Sequence, residues 1–197
     1  MTDQLSLLEG PPHESGAFRG SVGGGVSRAF DVVVDGKVRG LCRRRYPGHP
    51  KGCPNYGKRP TCPPAAKPIA DVISLDLPVW IAWNEYDLAA RVEELRAKHP
   101  TWSDRQLRCV RYWQGTARKA LDLRILAWLN ALQQGSTGYS GCLPNPVHPV
   151  YPCSPPGLVV VRCPEACGVN VTETMRLVHV ELEWPPVKIV RHVALIG

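Results

Sequence analysis

The chain has no apolar run that approaches the roughly 20 residues of a membrane-spanning helix. Its first residues, MTDQLSLLEG, lack the basic start and the apolar stretch of a secretory signal peptide. We therefore expect a cytoplasmic protein with no membrane partner. In a reducing compartment its eight cysteines are expected to be metal ligands or buried thiols rather than disulfides.

Motifs of several well-known enzyme classes are also missing. The sequence has no HExxH pair and no Ser-His-Asp order, and GSVGGGVSR lacks the terminal Lys-Ser/Thr of a phosphate-binding P-loop. The CxxC pairs of common zinc fingers and the CxxxCxxC pattern of radical enzymes are absent. These absences exclude the commonest motif-based assignments and leave the reaction class open.

The most informative segment, residues 37–67, holds nine Lys or Arg and no Asp or Glu. Within it Cys42, Cys53 and Cys62 follow a Cys-x10-Cys-x8-Cys spacing, among seven prolines between residues 42 and 68. Thiolates are soft ligands for zinc or iron–sulfur clusters. A centre with several thiolates is often net negative, and a basic shell would offset that charge. The segment therefore predicts a metal-site loop that also faces an anion.

A [4Fe–4S] site with four thiolates needs one further cysteine. A second loop, residues 141–167, again holds seven prolines. Zinc would accept the same thiolates, or a histidine in place of one. For Cys142 and Cys153, loop packing, a second metal site and partial ligation all remain open. The candidates for the fourth ligand are Cys109, Cys142, Cys153, Cys163 and Cys167, with His49 and His148 as zinc alternatives.

The predicted fold is α+β, with a small mixed or antiparallel sheet, one long and one shorter helix, and two Pro/Cys loops forming the site. Residues 1–28 are predicted to be a flexible tail because their glycines follow no sustained period, and residues 29–197 a single domain. Predicted strands are a hairpin in AFDVVVDGKVRGL that turns at Asp35-Gly36, then ADVISLDLPVWIAW, LVVVR, LVHVELEW and KIVRHVALI.

Two helices are predicted between residues 84 and 134. Asn84 is expected to cap the first, whose buried face carries Leu88, Val92 and Leu95. The second is expected to run without interruption from Thr101 or Ser103 to Gln134. Cys109 lies next to core positions of this second helix, so it is interpreted first as a buried thiol.

The blocks GCPNYGKRPTCPP and CPEACGVNV together resemble a family of uncharacterised, predicted metal-binding proteins. Members of that family carry a C…CPxYGK…CPP block and a distal EAxGxxV block. The resemblance covers residues 42–64 and 162–171, and the helices between them agree only in general character. Related chains often carry a ferredoxin-like CxxCxxC run before the distal block, and this chain lacks it.

The resemblance implies a thiolate-ligated site, of iron–sulfur type, built from Cys42, Cys53 and Cys62. It also implies that the distal block lies against that site and supplies the fourth ligand from Cys163 or Cys167. Of the two we favour Cys163, because it ends the apolar run GLVVVR and precedes the rigid Pro164. The resemblance implies a site and not a reaction.

Two further features point to nucleic-acid partners. The residues Gln4, Leu5, Ser6, Leu7 and Leu8 resemble the Gln-Leu-Ser/Asp-Leu-Phe peptide that docks on the DNA sliding clamp, with Leu8 in place of the final Phe. Cations interleaved with aromatic residues suit phosphate contact and base stacking. The candidate nucleic-acid residues are Arg43, Arg44, Arg45, Tyr46, Lys51, Tyr56, Lys58 and Arg59.

The sequence thus predicts an iron–sulfur protein, with a [4Fe–4S] cluster, that acts on or with nucleic acid in DNA metabolism or nucleotide modification. A non-catalytic binding module stabilised by zinc or by a cluster is the first alternative. A small redox carrier is the second, and the basic segment disfavours it unless its partner is acidic.

Overall fold

The computed structural model describes residues 20–45, 50–135 and 158–197, with side chains of the second range described as far as residue 132. A four-stranded antiparallel sheet, in the order β1-β2-β4-β3, confirms the α+β class. The elements are β1 (Ser21–Ala29), α1 (Lys37–Leu41), β2 (Val79–Asp87), α2 (Leu88–Lys98), α3 (Asp104–Leu107), α4 (Gln114–Gly135), β3 (Val160–Val161), α5 (Val171–Leu177) and β4 (Ile189–Ile196).

Strand β1 lies where the sequence predicted a loose tail, so that prediction is wrong for residues 21–28. Its glycines fit against β2. A Cβ atom on Gly24, whose φ is +130°, would lie 2.3 Å from the carbonyl oxygen of Trp83. Only glycine fits this close approach and this backbone conformation. The three consecutive glycines therefore make a paired strand rather than a flexible linker.

The first predicted helix is confirmed as α2, with Leu88, Val92 and Leu95 buried. Its N-cap, however, is Asp87, whose carboxylate accepts a hydrogen bond from the Ala90 N–H at 2.8 Å. Asn84, predicted to be this cap, lies instead inside β2 and is fully buried. The boundary differs because the strand continues three residues beyond Asn84.

The long helix predicted from residue 101 or 103 is interrupted. Ser103 caps α3 in a capping box with Gln106, but α3 ends at Leu107. A 3-10 turn, Val110–Tyr112, follows before α4 begins at Gln114. Cys109 therefore lies at this break, partly buried, rather than inside a continuous helix.

Two predicted strands are wrong. The second arm of the expected hairpin is helix α1, which begins where the Asp35 carboxylate accepts the Lys37 N–H at 2.8 Å. LVHVELEW is not a strand, because α5 extends to Leu177 and His179 adopts a left-handed conformation with φ 59°. LVVVR contributes only the two residues of β3, whereas KIVRHVALI forms β4 as predicted.

The chain divides into two compact units. Among the described residues, the first comprises 20–27, 82–135 and 182–192, and the second comprises 28–45, 50–81, 158–181 and 193–197. The core of the second unit contains Ile69, Ile73, Val79, Ile81, Val169, Met175, Leu195 and Ile196. No helix in the described ranges combines the length and apolarity needed to cross a membrane.

The core of the first unit is built around two aromatic side chains. Tyr86 and Trp113 stack with ring centroids 6.1 Å apart. The indole N–H of Trp113 donates to the Arg108 carbonyl at 3.2 Å, so its polar atom is satisfied. The residues of this cluster, hereafter the helical core, are Tyr86, Leu88, Val92, Leu95, Leu107, Trp113, Ala117 and Val190.

Candidate metal centre

The three cysteines of the first block lie in a chain of tight turns within the second unit. The Cys53 N–H donates to the Cys42 carbonyl at 2.8 Å, which joins two residues eleven positions apart. Beyond Cys53, the Gly57 N–H donates to the Pro63 carbonyl at 2.8 Å, and the Ala66 N–H donates to the Cys62 carbonyl at 3.0 Å. Prolines fix φ between these bonds, so the turns hold their shape without a regular ladder.

Gly52 makes the join between Cys42 and Cys53 possible. Its φ is +83°, and a Cβ atom there would lie 2.8 Å from the Cys42 carbonyl oxygen and 2.9 Å from that of Arg43. A side chain would therefore be strained in conformation and would collide with backbone. Glycine here lets the segment that contains Cys53 approach the segment that contains Cys42.

A cleft of about 580 Å³ opens between these two segments of the loop. Its polar lining combines thiols and cations, and the described residues that line it include no acidic side chain. The cleft therefore places two thiols beside three cations. The lining residues are Cys42, Arg43, Pro50, Lys51, Gly52, Cys53, Pro54, Tyr56 and Lys58, hereafter the basic cleft.

The thiols interact electrostatically. Burial is the largest effect that raises the pKa of Cys42, followed by the charges of Cys53 and Cys62 and then of Glu165. Mutual repulsion of this kind requires the groups to lie near one another. Cys42 is therefore within electrostatic range of Cys53, Cys62 and Glu165.

Backbone pairing joins the distal block to the segment that precedes Cys42. Val34 and Val169 form an isolated antiparallel bridge. The Asp35 N–H donates to the Gly168 carbonyl at 2.8 Å, and the Asn170 N–H donates to the Val33 carbonyl at 2.7 Å. Helix α1 packs against the 3-10 turn Pro164–Cys167. The two blocks that carry the family resemblance, 98 or more positions apart in the sequence, are thus brought together by these contacts.

Arg39 is a residue of this site that the sequence reasoning missed. Its guanidinium donates to the carbonyls of Pro64 and Ala66, which follow Cys62. A Cβ atom on Gly168 would lie 3.6 Å from the Arg39 side chain. Its Nε is buried and has no hydrogen-bond partner in the structure. Arg39 therefore ties the first cysteine block to the distal block and keeps one donor free.

The 3-10 turn Pro164–Cys167 presents two cysteines and a carboxylate. Cys163 is exposed at the start of the turn, and Cys167 is partly buried at its end. Burial raises the pKa of Cys167, and the positive charge of Arg39 opposes that shift. Glu165 is exposed, and desolvation raises the pKa of its carboxyl group. Sequence reasoning did not identify Glu165, although it lies between two candidate ligands.

The donor set fits a thiolate-ligated centre. Cys53 and Cys62 act electrostatically on Cys42. The charge of Arg39 acts on Cys167, and the buried Arg39 Nε has no hydrogen-bond partner in the structure. Among the residues described here, no three His, Cys, Asp or Glu side chains converge on one point as ligands of a single metal ion do.

Other predicted site residues lie elsewhere. Arg43, Arg44, Arg45, Lys51, Lys58 and Arg59 are exposed, but of these only Arg43, Lys51 and Lys58 line the basic cleft. Cys109 belongs to the first unit, whereas Cys42, Cys53, Cys62, Cys163 and Cys167 belong to the second. Tyr46, His49, Cys142, His148, Cys153 and the peptide of Gln4, Leu5, Ser6, Leu7 and Leu8 lie outside the described residues.

Comparison with protein-family models, with curated proteins and with solved structures finds no match for this chain.

Proposed function

We propose that this protein is an iron–sulfur protein that works in contact with nucleic acid, in DNA metabolism or nucleotide modification. The observation that carries the proposal is the basic cleft, in which two candidate ligands, Cys42 and Cys53, share one recess with three cations. Soft thiolates favour iron–sulfur chemistry, and the cations favour phosphate. The protein is proposed to act in the cytoplasm.

In this proposal Cys42, Cys53 and Cys62 hold a [4Fe–4S] cluster together with Cys163, and Cys167 is the alternative fourth ligand. When bound, such a cluster supplies electron transfer or, with one iron left open, a position for a substrate heteroatom. Arg39 holds the two ligand-bearing blocks together through Pro64 and Ala66. The positive charge of Arg39 would offset part of the negative charge of a Cys167 thiolate.

The fourth ligand is tested by three matched variants, Cys163→Ser, Cys167→Ser and Cys109→Ser, purified without oxygen. We expect Cys163→Ser to lose most of its iron and Cys109→Ser to keep it, because Cys109 lies in the other compact unit. Full iron in Cys163→Ser with loss in Cys167→Ser would reassign the ligand to Cys167. Loss in neither would direct attention to Cys142 or Cys153.

Contact with nucleic acid is tested by salt dependence. Binding of single-stranded DNA or RNA should weaken steeply with salt, because cations that neutralise phosphates release counterions. Absence of binding at low salt would contradict this part of the proposal. The N-terminal peptide Gln4–Leu8 is proposed to dock on a DNA sliding clamp, and its deletion should abolish clamp binding without changing iron content.

A further inference from the structure

Among the described residues of the first unit, four buried side-chain atoms have no hydrogen-bond partner. They are Nδ2 and Oδ1 of Asn84, Nε of Arg124 and Nδ1 of His192. Asn84 is fully buried, so neither end of its amide reaches solvent. A buried polar group without a partner destabilises the fold, and most such groups in proteins bind protein, water or a ligand. The three residues, hereafter the polar cluster, are therefore candidates for a binding site.

Strands β2 and β4 are neighbours in the antiparallel sheet, and their pairing brings Asn84 next to His192. Just beyond the two strands, the Leu88 N–H donates to the Lys188 carbonyl at 2.8 Å. The antiparallel register that starts from this bond sets Asn84 opposite His192. Side chains directly opposite each other lie on one face of a sheet, with Cβ atoms about 5 Å apart. The unpartnered atoms of the two residues therefore share a face.

Arg124, from helix α4, lies next to Asn84. A Cβ atom on Gly24 would lie 2.7 Å from the Cα of Asn84 and 2.9 Å from the Nε of Arg124. The terminal Nη2 of Arg124 donates to the Gly23 carbonyl at 3.1 Å, which fixes the guanidinium in this position. Arg124 and His192 are only half-buried. The polar cluster thus extends from the buried amide toward solvent.

The charges around the polar cluster favour a bound anion. Burial lowers the pKa of Arg124, and the negative charge of Glu85 opposes that shift. Glu85 also pairs with Arg191 at 2.8 Å, so two guanidinium groups share this carboxylate. Desolvation and, to a smaller extent, the charge of Arg118 lower the pKa of His192 to about 4. The imidazole is therefore neutral at pH 7, and in that form it can donate from Nδ1.

We propose that the polar cluster binds one small oxyanion that carries its own O–H group, such as hydrogen phosphate or a 2-hydroxy carboxylate. The anion's oxygens accept from Arg124 Nε, Asn84 Nδ2 and His192 Nδ1. Its O–H donates to Asn84 Oδ1, which an anion without a proton leaves unsatisfied. The inference does not depend on the proposed function, because the polar cluster belongs to the first unit and the cysteine loop to the second.

The test measures binding of phosphate, glycolate and sulfate to the full-length protein by calorimetry at pH 7, with potassium chloride holding the ionic strength constant. We expect phosphate or glycolate to bind, and the tighter of the two identifies the source of the anion. Sulfate should bind about tenfold more weakly or worse, because it has no O–H for Asn84 Oδ1. Asn84→Leu and Arg124→Gln should each weaken binding by at least about tenfold. The matched control is Arg111→Gln, an exposed cation of the same unit, which should keep wild-type affinity.

A further variant separates this site from the basic cleft. Arg43→Gln/Lys51→Gln/Lys58→Gln removes the cations of the cleft and should leave binding of the anion unchanged. A loss in this variant as large as in Arg124→Gln would overturn the inference. Wild-type protein that binds none of the three anions, or that binds sulfate as tightly as phosphate and glycolate, would overturn it too. Iron content and strand binding test the proposed function separately, and these anion measurements leave it untouched.

Discussion

In the helical core six buried side chains pack around Tyr86 and Trp113, whereas residues 50–68 of the cysteine loop bury only Gly52, Pro63 and Ala66. The core is therefore stabilised by removal of apolar surface from water. The loop is held by single backbone hydrogen bonds, prolines and the Arg39 side chain. The two regions should therefore respond to different perturbations. The core should respond to loss of packing, and the loop should respond to loss of its thiolates.

The largest expected effect is loss of the metal from the loop. Cys42→Ser should reduce bound iron to less than about a tenth of wild type and lower the melting temperature by about 10 °C, because ligation contributes directly to folding. The measurements are metal analysis and calorimetry, with Cys109→Ser as the matched control. Cys42→Ser protein with its full iron load would contradict the claim that thiolate ligation stabilises the loop.

The second largest expected effect is a loss of folding stability when the helical core loses packing. Trp113→Ala should lower the free energy of unfolding by about 4 kcal/mol, because a large aromatic side chain leaves a cavity. Its exposed fraction is 6%. Urea unfolding measures the loss, and iron per folded chain should stay unchanged. Iron loss from Trp113→Ala under conditions where the chain stays folded would contradict independent stabilisation of the two regions.

The elements that sequence reasoning identified correctly are those whose partners are local or whose pattern is long. The spacing of Leu88, Val92 and Leu95 identified α2, and Ser103, one of the two predicted helix starts, is the N-cap of α3. The apolar run of β4 was likewise visible in the sequence. These features depend on a few neighbouring residues or on residue type alone.

The errors arose where distant partners decide the structure. Val34 pairs with Val169 rather than with a return strand after Asp35, and no local pattern reveals that pairing. The glycines of β1 are a strand because β2 approaches closely at Trp83. Arg39 and Glu165 entered the site through tertiary contacts, and each had only its position near a cysteine as a sequence signal.

The third largest expected effect is a loss of folding stability at low pH, caused by His192 in the first unit. Desolvation, with a smaller contribution from Arg118, lowers the pKa of His192 from 6.5 to about 4. The unfolded chain takes up a proton near pH 6.5 while the folded chain stays neutral. Stability should therefore be intact above pH 6.5 and fall by about 3 kcal/mol as the pH drops toward 4.

His192→Phe is the matched variant for this effect, because Phe keeps a ring beside Trp113 and does not titrate. Urea unfolding between pH 7 and pH 4.5 should show a shallower loss of stability in His192→Phe than in wild type. Parallel curves for the two proteins would show that His192 is not the group responsible.

The smallest effect should come from Arg39. Arg39→Met keeps an unbranched apolar stem but removes the guanidinium and its bonds to Pro64 and Ala66. We expect a loss of about 2 kcal/mol in unfolding free energy, typical of bonds from a charged donor, and faster release of iron to a chelator. Arg44→Met, an exposed change in the same loop, should alter neither. Equal behaviour of the two variants would leave Arg39 without a role in joining the two blocks.

The most direct test of a thiolate-ligated cluster is metal and sulfide analysis of wild-type protein purified without oxygen, together with its absorption spectrum. We predict brown protein with iron and sulfide in equal amounts and broad absorption near about 400 nm, as expected of thiolate-bound iron–sulfur centres. Colourless protein with one zinc ion per chain and no sulfide would contradict the account and favour a zinc-stabilised binding module.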